Sequence, residues 1–345
     1  MSELRTPACP DCNDVDRRAF LSTMGGAAAV AGLGTVLPAN LRADDPAAKT
    51  PPPARQPKPA EAMIKELFSG LTDQQKRQVC YDWDHKQANN QTPTRLRMFN
   101  APIGTRIADG YTPAQRELCE NIFKAITSGD EGYRLLSREG TWDGSRSFQA
   151  CGAYIFGDPS GDRPYAWVFT GHHLTVRCDG NSEPSAAFGG PMYYGHSPDG
   201  HSRRNAFHYQ TRAVQTVFEA LNEQQRRQAV VVGNPGEMEG SIRHRAQGFP
   251  GIRSGDLSAA QKQLIEGVMR DVLSPYRRED ADEVMDLVRR NGGMDRLHLA
   301  FYKDREAEDG TLWSFWRLEG PGFVWNYRVL PHVHTYVHIR GVAQS

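Results

Sequence analysis

The short motifs that mark many enzymes are missing from this 345-residue chain. There is no Gly-x-Ser-x-Gly elbow, phosphate-binding loop, dinucleotide fingerprint or His-Glu-x-x-His pair, so the chemistries built on those local arrangements are not indicated. Excess charge is missing too. The 41 basic and 41 acidic side chains balance, so the chain has no electrostatic footprint for nucleic acid, and no such partner is expected. Beyond the N-terminal segment no stretch is apolar enough to cross a bilayer, which argues against a permanent membrane span in the mature protein. Cysteine is scarce. Cys9 and Cys12 form a Cys-x-x-Cys, but they precede a targeting signal and should leave with it. The remaining Cys80, Cys119, Cys151 and Cys178 have no metal-site spacing. Outside the cytosol they would form disulfides or stay as buried thiols.

That signal is the first positive feature. Arg17-Arg18 is followed by Ala19-Phe20-Leu21, then by a light, Gly/Ala-rich apolar run from Met24 to Leu37. Twin arginines ahead of such a run point to twin-arginine (Tat) export, so the Tat machinery is an expected partner and the periplasm or the exterior the expected location. Residues 1–43 are read as the signal peptide. Residues 44–60, rich in Pro, Ala and Lys, are read as a disordered linker that cannot bury a core. Residues 61–345 are then one domain.

Within that domain one helix start recurs four times. Leu71-Thr72-Asp73-Gln74-Gln75, Tyr111-Thr112-Pro113-Ala114-Gln115, Leu221-Asn222-Glu223-Gln224-Gln225 and Leu257-Ser258-Ala259-Ala260-Gln261 each place a capping side chain three residues before a Gln, after an apolar residue. This is a capping box, in which both side chains satisfy free amides of the first turn. The starts come in two pairs, each followed by strand-like segments: 149–156, 165–170 and 174–178, then 297–302, 312–318 and 323–329, with a further helix at about 281–290. The turns of the two hairpins fall at 158–162 and 306–310. Trp167 to Val176 and Trp316 to Trp325 both read Trp-x-apolar-x-Gly-x-x-apolar-x-apolar. The expected fold is therefore α+β, with internally duplicated helix–helix–antiparallel-strand units in one packed domain. The halves span about 61–205 and 206–345, with their two sheets packed together or joined.

The comparison exposes a difference. After Gly171 the first hairpin carries His172-His173, where the second has Pro321-Gly322. Turn chemistry favours Pro-Gly and does not ask for two imidazoles. A partner for them lies at the C-terminus. From His332 to Ile339 the chain alternates, with Val333, Thr335, Val337 and Ile339 on one face and His332, His334, Tyr336 and His338 on the other. His332 and His334 are spaced to share one ion of Zn, Cu or Fe, with His172 or His173 as third ligand. In regular strand His173 would share a face with Thr175 and Arg177, and His172 a face with Leu174 and Val176. His338, Tyr336, His85 and His196 are further candidates for the same site. His85 closes Tyr81-Asp82-Trp83-Asp84-His85 after the first capped helix. His196 lies in the Gly- and Tyr-rich stretch 188–205, which lacks core periodicity and reads as an irregular lid. Arg243-His244-Arg245 is a basic loop suited to an anion.

These pieces resemble the bacterial family catalogued as domain of unknown function 3500. The capped helices, Gly171-His172-His173-Leu174, the Leu318-Glu319-Gly320-Pro321 turn and His332-x-His334 carry the resemblance, from about Leu67 to the C-terminus. Relatives usually show Asn-His-x-His with an acidic residue and an Arg soon after. Here Pro331 replaces the Asn, and His338-Ile339-Arg340 follows without the acid. The family has no assigned activity, so the resemblance speaks to fold and site. The leading expectation is an exported metal protein, a metal-dependent hydrolase or oxidase acting on an unknown small molecule. The alternative is a non-catalytic extracytoplasmic small-ligand-binding module. A cell-surface structural protein is the third reading.

Overall fold

The computed structural model describes residues 59–342 apart from 89, 238–243, 246 and 304–312. The twin-arginine segment, the Cys9/Cys12 pair, the linker up to residue 58, the 306–310 turn and Arg243 lie outside the described residues. The chain opens with helix α1 (Pro59–Ser69) and continues with α2 (Asp73–Val79), α3 (Ile107–Gly110), α4 (Pro113–Ala125) and α5 (Asp130–Leu136). Then come α6 (His208–Ala220), α7 (Glu223–Ala229), α8 (Ala259–Leu273) and α9 (Arg278–Arg290). All four expected capping boxes form, at Thr72/Gln75, Thr112/Gln115, Asn222/Gln225 and Ser258/Gln261. The Gln side chains also bind each other in pairs. Gln75 Nε2 donates to Gln115 Oε1 at 2.6 Å, and Gln261 Nε2 donates to Gln225 Oε1 at 2.7 Å. Buried Ile265, Val268, Met269 and Val272 give α8 the i, i+3, i+4, i+7 stripe that packs a helix on a core.

The strands are β1 (Cys80–Tyr81), β2 (Gly152–Gly157), β3 (Tyr165–Gly171), β4 (Leu174–Cys178), β5 (Met192–His196), β6 (Val230–Val232), β7 (Ile252–Arg253), β8 (His298–Lys303), β9 (Phe315–Gly320), β10 (Phe323–Arg328) and β11 (Val333–Ile339). They form one continuous sheet in the order β1-β2-β3-β4-β5-β11-β10-β9-β8-β6, with β7 paired to β8. From either edge the sequence of pairings is the same: a parallel pair, then antiparallel neighbours up to the central β5–β11 pair. Two details depart from expectation. The outermost pairs are parallel because β1 and β6 each reach their neighbour through a long helical crossover, which a hairpin cannot replace. The stretch 188–205 is not wholly irregular, since Met192–His196 runs through the middle of the sheet.

Alternation gives the sheet two different faces. One carries Trp167, Phe169, Val176, Tyr194, Trp316, Trp325 and Tyr327, buried with the helices in the main core. The other carries Thr175, Arg177, Tyr193, Arg317, Glu319, Asn326, Arg328, His334 and Tyr336, all nearly inaccessible. Buried polar groups need partners, and two loop segments supply them. Phe99 and Thr175 exchange two hydrogen bonds of 2.8 Å, and Arg177 Nε donates to Arg95 O at 2.6 Å. Arg317 Nη2 donates to Gly236 O at 2.6 Å, and Arg245 Nε meets Glu319 Oε1 at 3.1 Å. The four cysteines of the domain are separate free thiols. Burial pushes the Cys80 and Cys151 thiols up to about 11, and Cys178 up to about 12.

Candidate metal centre

The site forms where the β3–β4 turn meets the start of β11, beside the end of β5. His172 and His173 occupy a two-residue turn, and His173 has φ 51°. The matching turn between β9 and β10 places Gly322 there, with φ 76°. Left-handed backbone costs a residue with a Cβ about 1–2 kcal/mol, so a buried imidazole stands where glycine is favoured. His332 precedes β11, and His334 pairs across the sheet with Gly195 of β5 and Arg328 of β10. Gly195 lets these chains approach. A Cβ there would sit 2.3 Å from Val333 O and 3.1 Å from the His334 ring.

His173, His332 and His334 are fully or almost fully buried, and their ring nitrogens converge. His332 Nε2 lies 2.9 Å from His334 Nε2 and 3.2 Å from His173 Nε2. Ligands on a tetrahedral zinc at 2.0–2.1 Å lie about 3.3 Å apart, so the cluster could hold a metal ion after small adjustment. Two of the rings are fixed from behind. His173 Nδ1 lies 2.8 Å from Asp143 Oδ2, and His334 Nδ1 lies 3.2 Å from Glu237 Oε2. An Nδ1–H donated to a carboxylate leaves Nε2 as an acceptor with its lone pair facing the cluster.

The electrostatics keep the imidazoles neutral. Burial, reinforced by the neighbouring His173, pushes His332 down to about 3. Burial also carries His173 and His334 well below the usual histidine value. The carboxylate of Asp143 opposes this at His173, and Arg328 adds to it at His334. Burial would raise Asp143, but the adjacent His172 and His173 imidazoles prevail and hold it well below the carboxylate range. Ser197 further supports Asp143, its amide donating at 3.0 Å and its hydroxyl at 2.5 Å. Burial raises Glu237 to about 7 against the pull of Arg328 and Arg317. Arg328 ties the parts together. Its Nη1 lies 2.9 Å from Glu237 Oε2, and its Nη2 lies 3.1 Å from His332 Nε2 and 2.9 Å from His334 Nε2.

Of the other candidates, His172 forms a second group with Asp143 and His173, and the rest do not join the three converging nitrogens. His172 is only partly buried, and its Nδ1 accepts the Gly144 amide at 3.0 Å and lies 3.5 Å from Asp143 Oδ1. Tyr336 stacks on Tyr193 at 4.6 Å, so the two form an aromatic plate beside His334. His338, further along the same face, pairs with His244 at 4.1 Å. His196 Nδ1 accepts the Ala206 amide at 2.9 Å, and His85 packs on Tyr81 at 4.8 Å. Sequence reasoning missed Asp143, Glu237 and Arg328. Asp143 and Glu237 come from loops distant in sequence and carry no periodic signal. Arg328 did have one, since counting back through the hairpin puts it directly opposite His334.

Over residues 55–343 the chain matches the family described as protein of unknown function (DUF3500), and it belongs to that family. No curated protein and no solved structure matches it.

Proposed function

Taking that family membership and the buried histidine cluster as premises, we propose that the protein is an exported metal protein in which His173, His332 and His334 hold one divalent ion, zinc, copper or iron. The observation that carries this reading is the pair of carboxylates behind the rings. A metal-ligating imidazole commonly donates its second nitrogen to such a group, and Asp143 and Glu237 stand in that relation to His173 and His334. Three imidazoles leave a position for water or O2, which suits metal-dependent hydrolysis or oxidation of a small molecule.

Export by the Tat route is part of the proposal. Arg17-Arg18 and the apolar run after it support export, and a pathway that carries folded chains suits a metal loaded before translocation. Replacing both arginines by lysine should leave the protein in the cytoplasm, and unchanged export would refute the route. The duplication is proposed as well. The matched strand order, the paired Gln contacts and Trp167 and Trp316 at like positions support it. No helix among the described residues is long and apolar enough to cross a membrane.

Arg328 favours a second reading. Its Nη2 already answers two of the imidazole nitrogens, as it would in a metal-free pocket of a ligand-binding module. Metal analysis of the full chain, purified without a histidine tag from zinc-, copper- and iron-supplemented cultures, separates the two. We expect about one ion per chain, lost in the His332→Ala/His334→Ala double variant. No stoichiometric metal from any culture would overturn the metal reading and leave the module.

A further inference from the structure

We propose that Arg328 exchanges partners at this site. It caps the His332 and His334 lone pairs until a metal takes them, and its released Nη2 then binds a small carboxylate at the metal's remaining position. The inference rests on the metal reading and adds to it a role for Arg328 and a ligand class.

A neutral imidazole with its proton on Nδ1 has one lone pair, on Nε2. At His334 that lone pair faces Arg328 Nη2 at 2.9 Å, and at His332 the same Nη2 lies 3.1 Å away. A metal on these nitrogens must use the same electrons, so metal and Nη2 compete. The guanidinium itself need not leave. Nη1 stays on Glu237 at 2.9 Å, and Nε stays near His332 O at 3.3 Å. The side chain is 10% exposed, so an Nη2 that has lost these acceptors has little access to water. A buried charged donor without an acceptor is costly, and an oxygen bound beside the metal would supply one.

Charge gives the ligand its sign. A divalent ion and Arg328 bring three positive charges against at most two negative charges from Asp143 and Glu237, and Arg317 adds another within electrostatic reach of Glu237. A monoanion brings the site closer to balance. The Tyr193–Tyr336 plate beside His334 offers apolar surface to the organic part of such a ligand. A small organic carboxylate meets both conditions.

The test uses the full chain with Co2+, whose visible bands report its ligands, and acetate as the probe at constant ionic strength. Wild-type bands should shift on addition of acetate. Arg328→Met should bind Co2+ about tenfold more tightly in acetate-free buffer, since competing charge-assisted hydrogen bonds are gone. Its bands should respond to acetate about tenfold more weakly than the wild type's. Co2+ bound equally by both proteins, with bands indifferent to acetate, would overturn the Arg328 proposal and leave the metal site standing. Co2+ bound by neither would overturn the metal reading and this inference with it. If Arg328→Met does not fold, the wild-type acetate titration still decides, because a spectrum indifferent to acetate removes the carboxylate.

Discussion

Replacing His173 by glycine should leave a more stable protein than replacing it by alanine. Alanine normally wins such a comparison by roughly 0.5–1 kcal/mol, because glycine gives the unfolded chain more freedom. At His173 the backbone reverses the order. With φ 51° a Cβ costs about 1–2 kcal/mol, and glycine relieves it. Both variants delete the imidazole, its 2.8 Å contact with Asp143 and its packing, so those large losses cancel between them. The balance is about 1 kcal/mol in favour of His173→Gly, or about 2–4 °C in thermal midpoint for a domain of this size. Paired thermal and urea melts at pH 7 measure it, and metal analysis of the same samples should find the ion missing from both. His173→Ala as stable as His173→Gly, or more so, would refute the left-handed turn and the argument that function holds a histidine in a glycine's place.

Three further outcomes follow. Asp143→Asn keeps an acceptor for His173 but loses the charge behind it, and should weaken metal binding about 10–100-fold in a chelator competition, with the fold retained; unchanged affinity would remove Asp143 from the site. Gly195→Ala drives a Cβ toward Val333 O and should cost roughly 1–3 kcal/mol in urea melts, with metal binding lost, whereas a neutral effect would contradict the close β5–β11 approach. Burial, aided by nearby His244, pushes His338 down to about 3, below its unfolded value near 6.5. Between those values the unfolded chain binds more protons, so stability present above pH 6.5 is lost as pH falls, by about 2 kcal/mol from this residue down to pH 5. His338→Gln should lose correspondingly less stability between pH 7 and 5, and an identical loss would show that His338 is not held neutral.

The helices could be read because their signals are local. A capping box is complete within four residues, and Thr72/Gln75, Thr112/Gln115, Asn222/Gln225 and Ser258/Gln261 all form as expected. The long hairpins were readable for the same reason, each alternating around its own turn. What failed was placement in the sheet. β5 has five residues between Gly190-Pro191 and a Ser-Pro-Asp-Gly segment, and its tyrosines face both ways, Tyr193 to the polar face and Tyr194 to the core. It therefore looked like an irregular lid. Once β5 was missed, β11 had no visible second neighbour, and its histidine face could equally be a wet edge. Pairing with β5 puts β11 at the centre and buries His334. β1 and β6, with two and three residues, are too short to show any period, so their parallel pairing was also hidden.

The histidines themselves were legible because they break rules that the rest of the chain keeps. A turn that favours Pro-Gly in one hairpin carries His-His in the other, and a strand face carries imidazoles at alternate positions. Strict alternation assigned His173 to the face of Thr175 and Arg177, and the convergence of His173 with His332 and His334 lies on that face. Alternation also sent His172 to the core face. The turn instead brings its ring within 3.9 Å of the His173 ring, with Asp143 between their Nδ1 atoms, because regular strand geometry ends at Gly171. What decides whether these rings can bind an ion is which nitrogen carries the proton, and that is set by Asp143 and Glu237, 30 and 97 residues away from the rings they hold. Spacing within a motif can nominate ligands, but the groups that fix their tautomer come from whichever loops the fold lays over the sheet. Arg328 lies between these cases. Its register opposite His334 is a hairpin property that could be counted from sequence, while its competition with a metal is visible only once Glu237 is seen to anchor the far side of the guanidinium.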